Sequence, residues 1–250
     1  MPLAMGPAQT LKVAAPSSRL GPLLKDVLRR LHAAYGPQRW WPADSAFEVI
    51  VGAILTQSAA WTNVEKAIAN LKAAGALSAP ALRAMPAQRL ASLVYPSGYY
   101  NAKAAKIKAF VDHLERYGDD LDRLFGQDLQ ALRAELLTIH GVGEETADSI
   151  ILYAARKPVF VIDAYTRRTV QRLGIGPEGG NASYRWYQDL FHKALPADEP
   201  LFNEYHALLV RLGKEVCRKV PECRRCPLLA LCPTGQRQPA PPSRTPEIAR

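Results

Sequence analysis

Four cysteines, Cys217, Cys223, Cys226 and Cys232, fall within sixteen consecutive residues, and none stands elsewhere in the 250-residue chain. This crowding limits what the stretch can be. The N-terminus lacks the basic–apolar–small order of a secretory leader. Two structural disulfides, which belong to oxidising compartments, are therefore not expected. The C-x5-C-x2-C-x5-C spacing reads as one metal site with four thiolate ligands. Zinc and an iron–sulfur cubane both suit such a ligand set.

The rest of the chain is helical in character. Ala and Leu number 38 and 31, against 14 Val and 10 Ile, a bias toward helix over sheet. Short apolar-periodic segments are separated by Pro, Gly and Asp, and no internal repeat is present. Val159 to Ile162 could be extended but stands isolated, so the fold class is all-α. The longest apolar run, Val49 to Leu55, is too short to cross a bilayer, and its surroundings read as a helix buried on all sides. Residues 1–18 lack an apolar period, and residues 234–250 are rich in Pro, Gln and Arg. Both ends read as disordered. A formal net charge of +9 points to a polyanionic partner without naming it.

Two local patterns give that charge a direction. In Leu137-Thr138-Ile139-His140-Gly141-Val142-Gly143-Glu144-Glu145-Thr146-Ala147 a leucine-rich helix ends, a glycine turn follows, and a second helix begins. Glycines allow a sharp turn and close approach to a ligand, and a helix start suits a phosphate. Twenty residues after Gly143, Asp163 ends an apolar segment and opens a basic helix carrying Arg167 and Arg168. Asp is also a good N-cap, which is the plain structural reading of Asp163.

Together with Leu55-Thr56-Gln57, Gly98-Tyr99-Tyr100-Asn101-Ala102-Lys103-Ala104 and the cysteine cluster, these patterns occur in a fixed order. From about Asp44 to Cys232 the chain resembles endonuclease III and its relatives, the helix–hairpin–helix DNA glycosylase superfamily. The resemblance implies two helical domains. One is a six-helix barrel with the hairpin, over 44–159; the other is an iron–sulfur domain made of 19–43 plus 160–233. It implies a 4Fe-4S cluster on Cys217, Cys223, Cys226 and Cys232, although the first cysteine gap is five residues where endonuclease III has six.

The implied function is base excision repair of double-stranded DNA containing damaged bases, by a monomer acting in the cytoplasm on the nucleoid. Asp163 and Glu145 become the candidate catalytic residues, with Asp163 stabilising an oxocarbenium-like sugar and orienting water. Gly141, Val142, Gly143, Thr146, Arg167 and Arg168 become candidate DNA contacts, and Gln57 or Ser58 fills the gap left by a flipped nucleotide. Where bifunctional relatives have the Schiff-base lysine, this chain has Glu145, which implies a monofunctional enzyme with weak or absent lyase activity. Trp40, Trp41 and Trp61 resemble the 3-methyladenine branch. Aromatic faces attract cationic alkylpurines, although core packing is the plain reading of these indoles. The alternatives are an endonuclease III-type enzyme for oxidised pyrimidines and a catalytically silent DNA- and metal-binding protein.

Overall fold

Helices form where the apolar period runs unbroken. The computed structural model describes residues 17–177, 179 and 182–238, with thirteen α-helices and no strand among them. Helix α1 is Ser17–Tyr35. It places Ser17 and Ser18 in a helix, against the expectation of disorder through 18. Pro22 is the sixth residue of α1, past the first turn, so its missing N–H removes one bond from the ladder. The expectation for 1–16 lies outside the described residues.

Helix α2, Ala46–Leu55, is buried from Glu48 to Leu55, as its apolar sequence requires. Ser45 caps it by accepting from the Glu48 N–H. After it come α3 (Trp61–Ala73), α4 (Ala79–Ala84), α5 (Ala87–Val94), α6 (Tyr100–Leu114), α7 (Leu121–Phe125), α8 (Leu129–Leu136) and α9 (Glu144–Ser149), of which α3, α6 and α9 pack on α2. A π-helical turn, Ile150–Ala154, continues α9 and packs on α2. Lys103 of α6 is buried, with Nζ donating to Leu55 O at 2.8 Å and Ser97 O at 2.6 Å. A cation thus meets carbonyls at the C-terminus of α2, where the helix dipole is negative, and it pins the Gln57 turn to the Gly98 turn. Burial pushes the Lys103 amine down to about 8.

The remaining helices are α10 (Ala164–Arg172), α11 (Tyr184–Ala194), α12 (Glu199–Glu215) and α13 (Pro233–Gln236). α12 packs on α1 and α10, and also on the π turn. α10 and α12 come so close that a Cβ at Gly213 would lie 2.4 Å from the Tyr165 ring. Asp148, fully buried, joins α9 to α8 and α11 through Arg133 Nε at 2.7 Å and Gln188 Nε2 at 2.7 Å. The chain also stays folded beyond 233: Thr234 donates to Arg172 O at 2.9 Å and α13 packs on α10. The expected tail therefore begins no earlier than 239, and 239–250 lie outside the described residues.

Val159 to Ile162 is buried and belongs to no sheet. Side chains of α11 take the place of a neighbouring strand. Phe160 N–H donates to His192 Nε2 at 2.9 Å, Gln188 donates to Phe160 O at 2.9 Å, and Ile162 N–H donates to Tyr184 OH at 3.1 Å. Buried backbone polar groups need such partners, and these hold the approach to Asp163 in one path.

Candidate active site

Asp163 is the N-cap of α10, its Oδ1 accepting from Thr166 N–H at 2.7 Å. The plain reading of this residue is thus correct, and it is incomplete. The same carboxyl lines a cavity of about 420 Å3 with Trp40, Trp41 and Trp61, Glu145, His206 and Lys214. Glu145 stands in the first turn of α9 and joins Asp163 on the polar side. Enclosure by the cavity wall, and then the Asp163 charge, push its carboxyl up to about 7, with Arg167 pulling the other way. The residue itself is exposed and borders this cavity and an adjoining depression.

The three indoles line the same cavity and pack on one another. Ring centroids lie 5.3 Å apart for Trp40–Trp41, 4.9 Å for Trp40–Trp61 and 5.2 Å for Trp41–Trp61. Trp41 also packs on Tyr153 at 5.3 Å. A Cβ at Gly52 would sit 3.1 Å from Trp41 Cζ2, so α2 has glycine where the indole approaches. Trp61 Nε1 donates to Glu65 at 2.8 Å. Each indole packs against the core and also borders the cavity.

A second, open depression of about 550 Å3 adjoins the first and is lined by Gln57, Ser58, Lys106, Gly141, Gly143, Thr146 and Arg167. Gly141 has φ +83°, and a Cβ there would meet the Lys106 stem at 2.2 Å; only glycine fits this turn. Val142 turns inward and is buried, anchoring the hairpin. Gln57 has both ends of its amide in use. It donates to Gly141 O and Thr146 Oγ1, each at 2.9 Å, and accepts from Lys106 Nζ at 2.5 Å. Ser58, by contrast, is exposed at the turn tip with φ 53°.

The two arginines differ. Arg167 lies over the Tyr187 ring at 4.8 Å and lines the depression. Arg168 points into the protein, donating to Cys217 O at 2.7 Å and Gly213 O at 3.0 Å. The guanidinium expected to contact DNA is thus bonded across the α10–α12 crossing.

All four thiols are free and line one small cavity of about 20 Å3. Among the described residues no three His, Cys, Asp or Glu side chains converge closely enough to hold a single metal ion. Arg172, at the far end of α10 from Asp163, donates to Cys217 Sγ at 3.2 Å and to the carbonyls of Arg218 and Lys219. One helix of nine residues, ~13 Å long, therefore links the acid to the cysteine loop. Burial pushes the Cys226 thiol up to about 11. Four crowded thiols in such surroundings suit a cationic group that compensates their ionisation.

Sequence reasoning did not place His206, Lys214 or Lys106 in these depressions, nor Tyr153 behind them. His206 and Lys214 both sit on α12, eight residues apart, and reach the cavity only through its packing on α10. Lys214 lies with Nζ 5.7 Å from the Trp40 centroid. Burial lowers its pKa, opposed by Asp163 and Glu65.

Among the described residues the protein is all-helical, with a glycine hairpin beside a cavity of carboxylates and indoles. Its residues 51–188 match the model of the HhH-GPD superfamily base excision DNA repair protein, and the chain belongs to that family. It is 45% identical over 200 residues to a Methanocaldococcus jannaschii protein named for DNA repair glycosylase activity, covering 79% of this chain and 90% of that one. Endonuclease III of Sulfolobus acidocaldarius is 28% identical over 190 residues, covering 75% and 82%. Among solved structures, H. pylori 3-methyladenine DNA glycosylase (MagIII) bound to 1,N6-ethenoadenine has a TM-score of 0.64 at 26% identity, covering 80% and 97%. A non-covalent endonuclease III–DNA complex has a TM-score of 0.75 at 23% identity, covering 86% and 96%, which is a likeness of fold. This protein is a base excision repair DNA glycosylase. Among the described residues no helix is long and apolar enough to cross a membrane.

Proposed function

We propose that the protein is a monofunctional glycosylase that flips an alkylated purine, such as 3-methyladenine, out of double-stranded DNA and hydrolyses its N-glycosidic bond. The observation that carries this is the cavity: three indoles line it together with Asp163 and Glu145. Aromatic faces and carboxylates together favour a cationic base. The MagIII likeness, at 26% identity to a protein named for 3-methyladenine, supports the same substrate class.

The steps follow from the residues. The net charge of +9 draws DNA to the protein in a salt-sensitive way. The Gly141–Gly143 turn meets a phosphate, with Arg167 beside it and Thr146 and Val142 holding the turn in place. Ser58, exposed and unencumbered, enters the gap in the duplex, while Gln57 stays bound to the hairpin. Arg168 positions α10 rather than DNA. The C1′–N bond breaks with its electron pair leaving on the base, so a cationic purine departs neutral. Asp163 stabilises the cationic sugar and takes a proton from the water that adds to C1′. Glu145 adds negative charge toward the base and, as a carboxylate, forms no imine.

Two domains accompany this reading: 44–159, and 19–43 with 160–238. Cys217, Cys223, Cys226 and Cys232 would hold a 4Fe-4S cluster. Four thiolates are a donor set such a cluster takes, and the four line one small cavity. That group supplies a rigid, redox-capable template for the loop. One observation favours lyase chemistry instead: Lys214 keeps an amine in the cavity, with its proton affinity lowered.

Duplexes carrying 1,N6-ethenoadenine or thymine glycol, and methylated DNA, test the proposal with and without borohydride. Alkylated purines are expected to be released without a covalent adduct. Release of thymine glycol but not 3-methyladenine overturns the substrate class, and a trapped adduct lost in Lys214→Ala overturns monofunctionality. The same preparation should contain iron and sulfide; stoichiometric zinc without iron rejects the cluster.

A further inference from the structure

Behind Asp163 lies a side chain that the steps above leave unused. His206 of α12 is buried, with 6% of its surface exposed. Its Nδ1 is 2.5 Å from Tyr153 OH, and its Nε2 has no hydrogen-bond partner among the described residues. His206 borders the cavity that Asp163 lines, and its buried Nε2 stands 3.8 Å from Asp163 Oδ2. Buried polar atoms are rarely left unpaired, and each one asks for a reason.

The proton inventory decides which way the group works. Burial raises the Tyr153 phenol well above its usual range, so it keeps its proton and donates. Burial likewise lowers the pKa of His206, opposed by Asp163. The other ring facing the imidazole is Phe160, at 6.5 Å and without charge. A neutral imidazole that accepts at Nδ1 keeps its proton on Nε2. The N–H therefore faces the carboxylate oxygen that Thr166 does not hold. At 3.8 Å this is longer than a hydrogen bond, and catalytic contacts of unloaded enzymes commonly tighten on loading.

We propose that His206 is a positioning residue for Asp163. When the cavity fills, its Nε2–H donates to Asp163 Oδ2 and locks the carboxylate between the imidazole and the Thr166 N–H. Tyr153 sets the tautomer, and because its ring packs on Trp41 at 5.3 Å, occupation of the indole wall is felt at the acid. This inference rests on the role given to Asp163 above.

The test has two readouts on the full-length protein. Nitrogen NMR of histidine-labelled wild type should find His206 neutral, protonated at Nε2, and accepting at Nδ1. A cationic ring or the opposite tautomer at neutral pH overturns the proposal whatever the substrate. In single-turnover base release, His206→Leu should lose roughly 10- to 100-fold in rate with DNA affinity unchanged, as for a lost hydrogen bond to a charged group. His206→Gln, which places an amide N–H at similar reach, should recover most of that loss. Equal losses in both variants, or none in His206→Leu, overturn the inference. Tyr153→Phe is the second variant should His206→Leu fail to fold; it should slow release and mix the tautomers, and an unchanged rate counts against the relay. Wild type that releases no base from any substrate defeats the glycosylase reading itself, a result distinct from all of these.

Discussion

Asp163→Asn is expected to slow base release by about a thousandfold or more while leaving DNA affinity nearly unchanged. The substitution separates the two duties of the residue. As N-cap of α10, the side chain needs only an oxygen that accepts from Thr166 N–H, now at 2.7 Å. Asparagine supplies that oxygen, and Asn and Asp cap about equally well. The helix start should survive, and with it the path of Val159 to Ile162, whose backbone is held by α11. What disappears is the negative charge facing the sugar. Without it the oxocarbenium-like state loses its counter-charge and the attacking water loses its proton acceptor. Single-turnover release, measured beside binding to a duplex with a stable abasic analogue, checks the split. Unchanged release would remove Asp163 from the chemistry, and release and binding lost together would mean that the cap had been the larger role.

Such a residue was legible in the sequence because its evidence is local. The hairpin is read from Gly141 and Gly143 on one chain segment, Asp163 lies one helix further on, and the four cysteines lie within sixteen residues. The helical class follows from the Ala and Leu excess. What stayed hidden depends on packing between distant segments. His206 is 53 residues from Tyr153 in sequence and meets it only because α12 packs on the π turn after α9. The available signal was weak: a histidine within an apolar helical stretch. Arg168 looked identical to Arg167, yet one faces the depression and the other turns to Gly213 O. Neighbouring residues of an α-helix leave its axis about 100° apart, and Arg168 is the one whose direction meets the Gly213 and Cys217 carbonyls. The C-terminal boundary slipped for a similar reason, since Thr234 gains order from Arg172 O, 62 positions away.

Trp41→Ala should reduce the release of cationic purines by about a hundredfold or more, since stacking on a base contributes about 1–3 kcal/mol and cation–π attraction up to about 2 kcal/mol when desolvated. Trp41 is the indole to remove. Trp40 already has Lys214 over its face, and Trp61 is tied to Glu65. Trp41 is supported from behind by Gly52 and Tyr153, so its loss opens the wall. The variant should also melt at lower temperature, because part of the indole packs in the core. Trp41→Phe, which keeps an aromatic face, separates the two effects by recovering most of the activity. The charge of the base leaves a second signature. Glu145 is largely protonated below about 7 and ionised above it. An ionised carboxylate attracts a cationic base, and the cation in turn favours ionisation. The apparent KM for such a base should therefore fall as pH rises through about 7. Glu145→Gln should flatten that dependence, and a neutral lesion should not show it. If Trp41→Ala instead depresses thymine glycol and 3-methyladenine release equally, with no pH signature for either, the indoles pack the fold and do not choose the base.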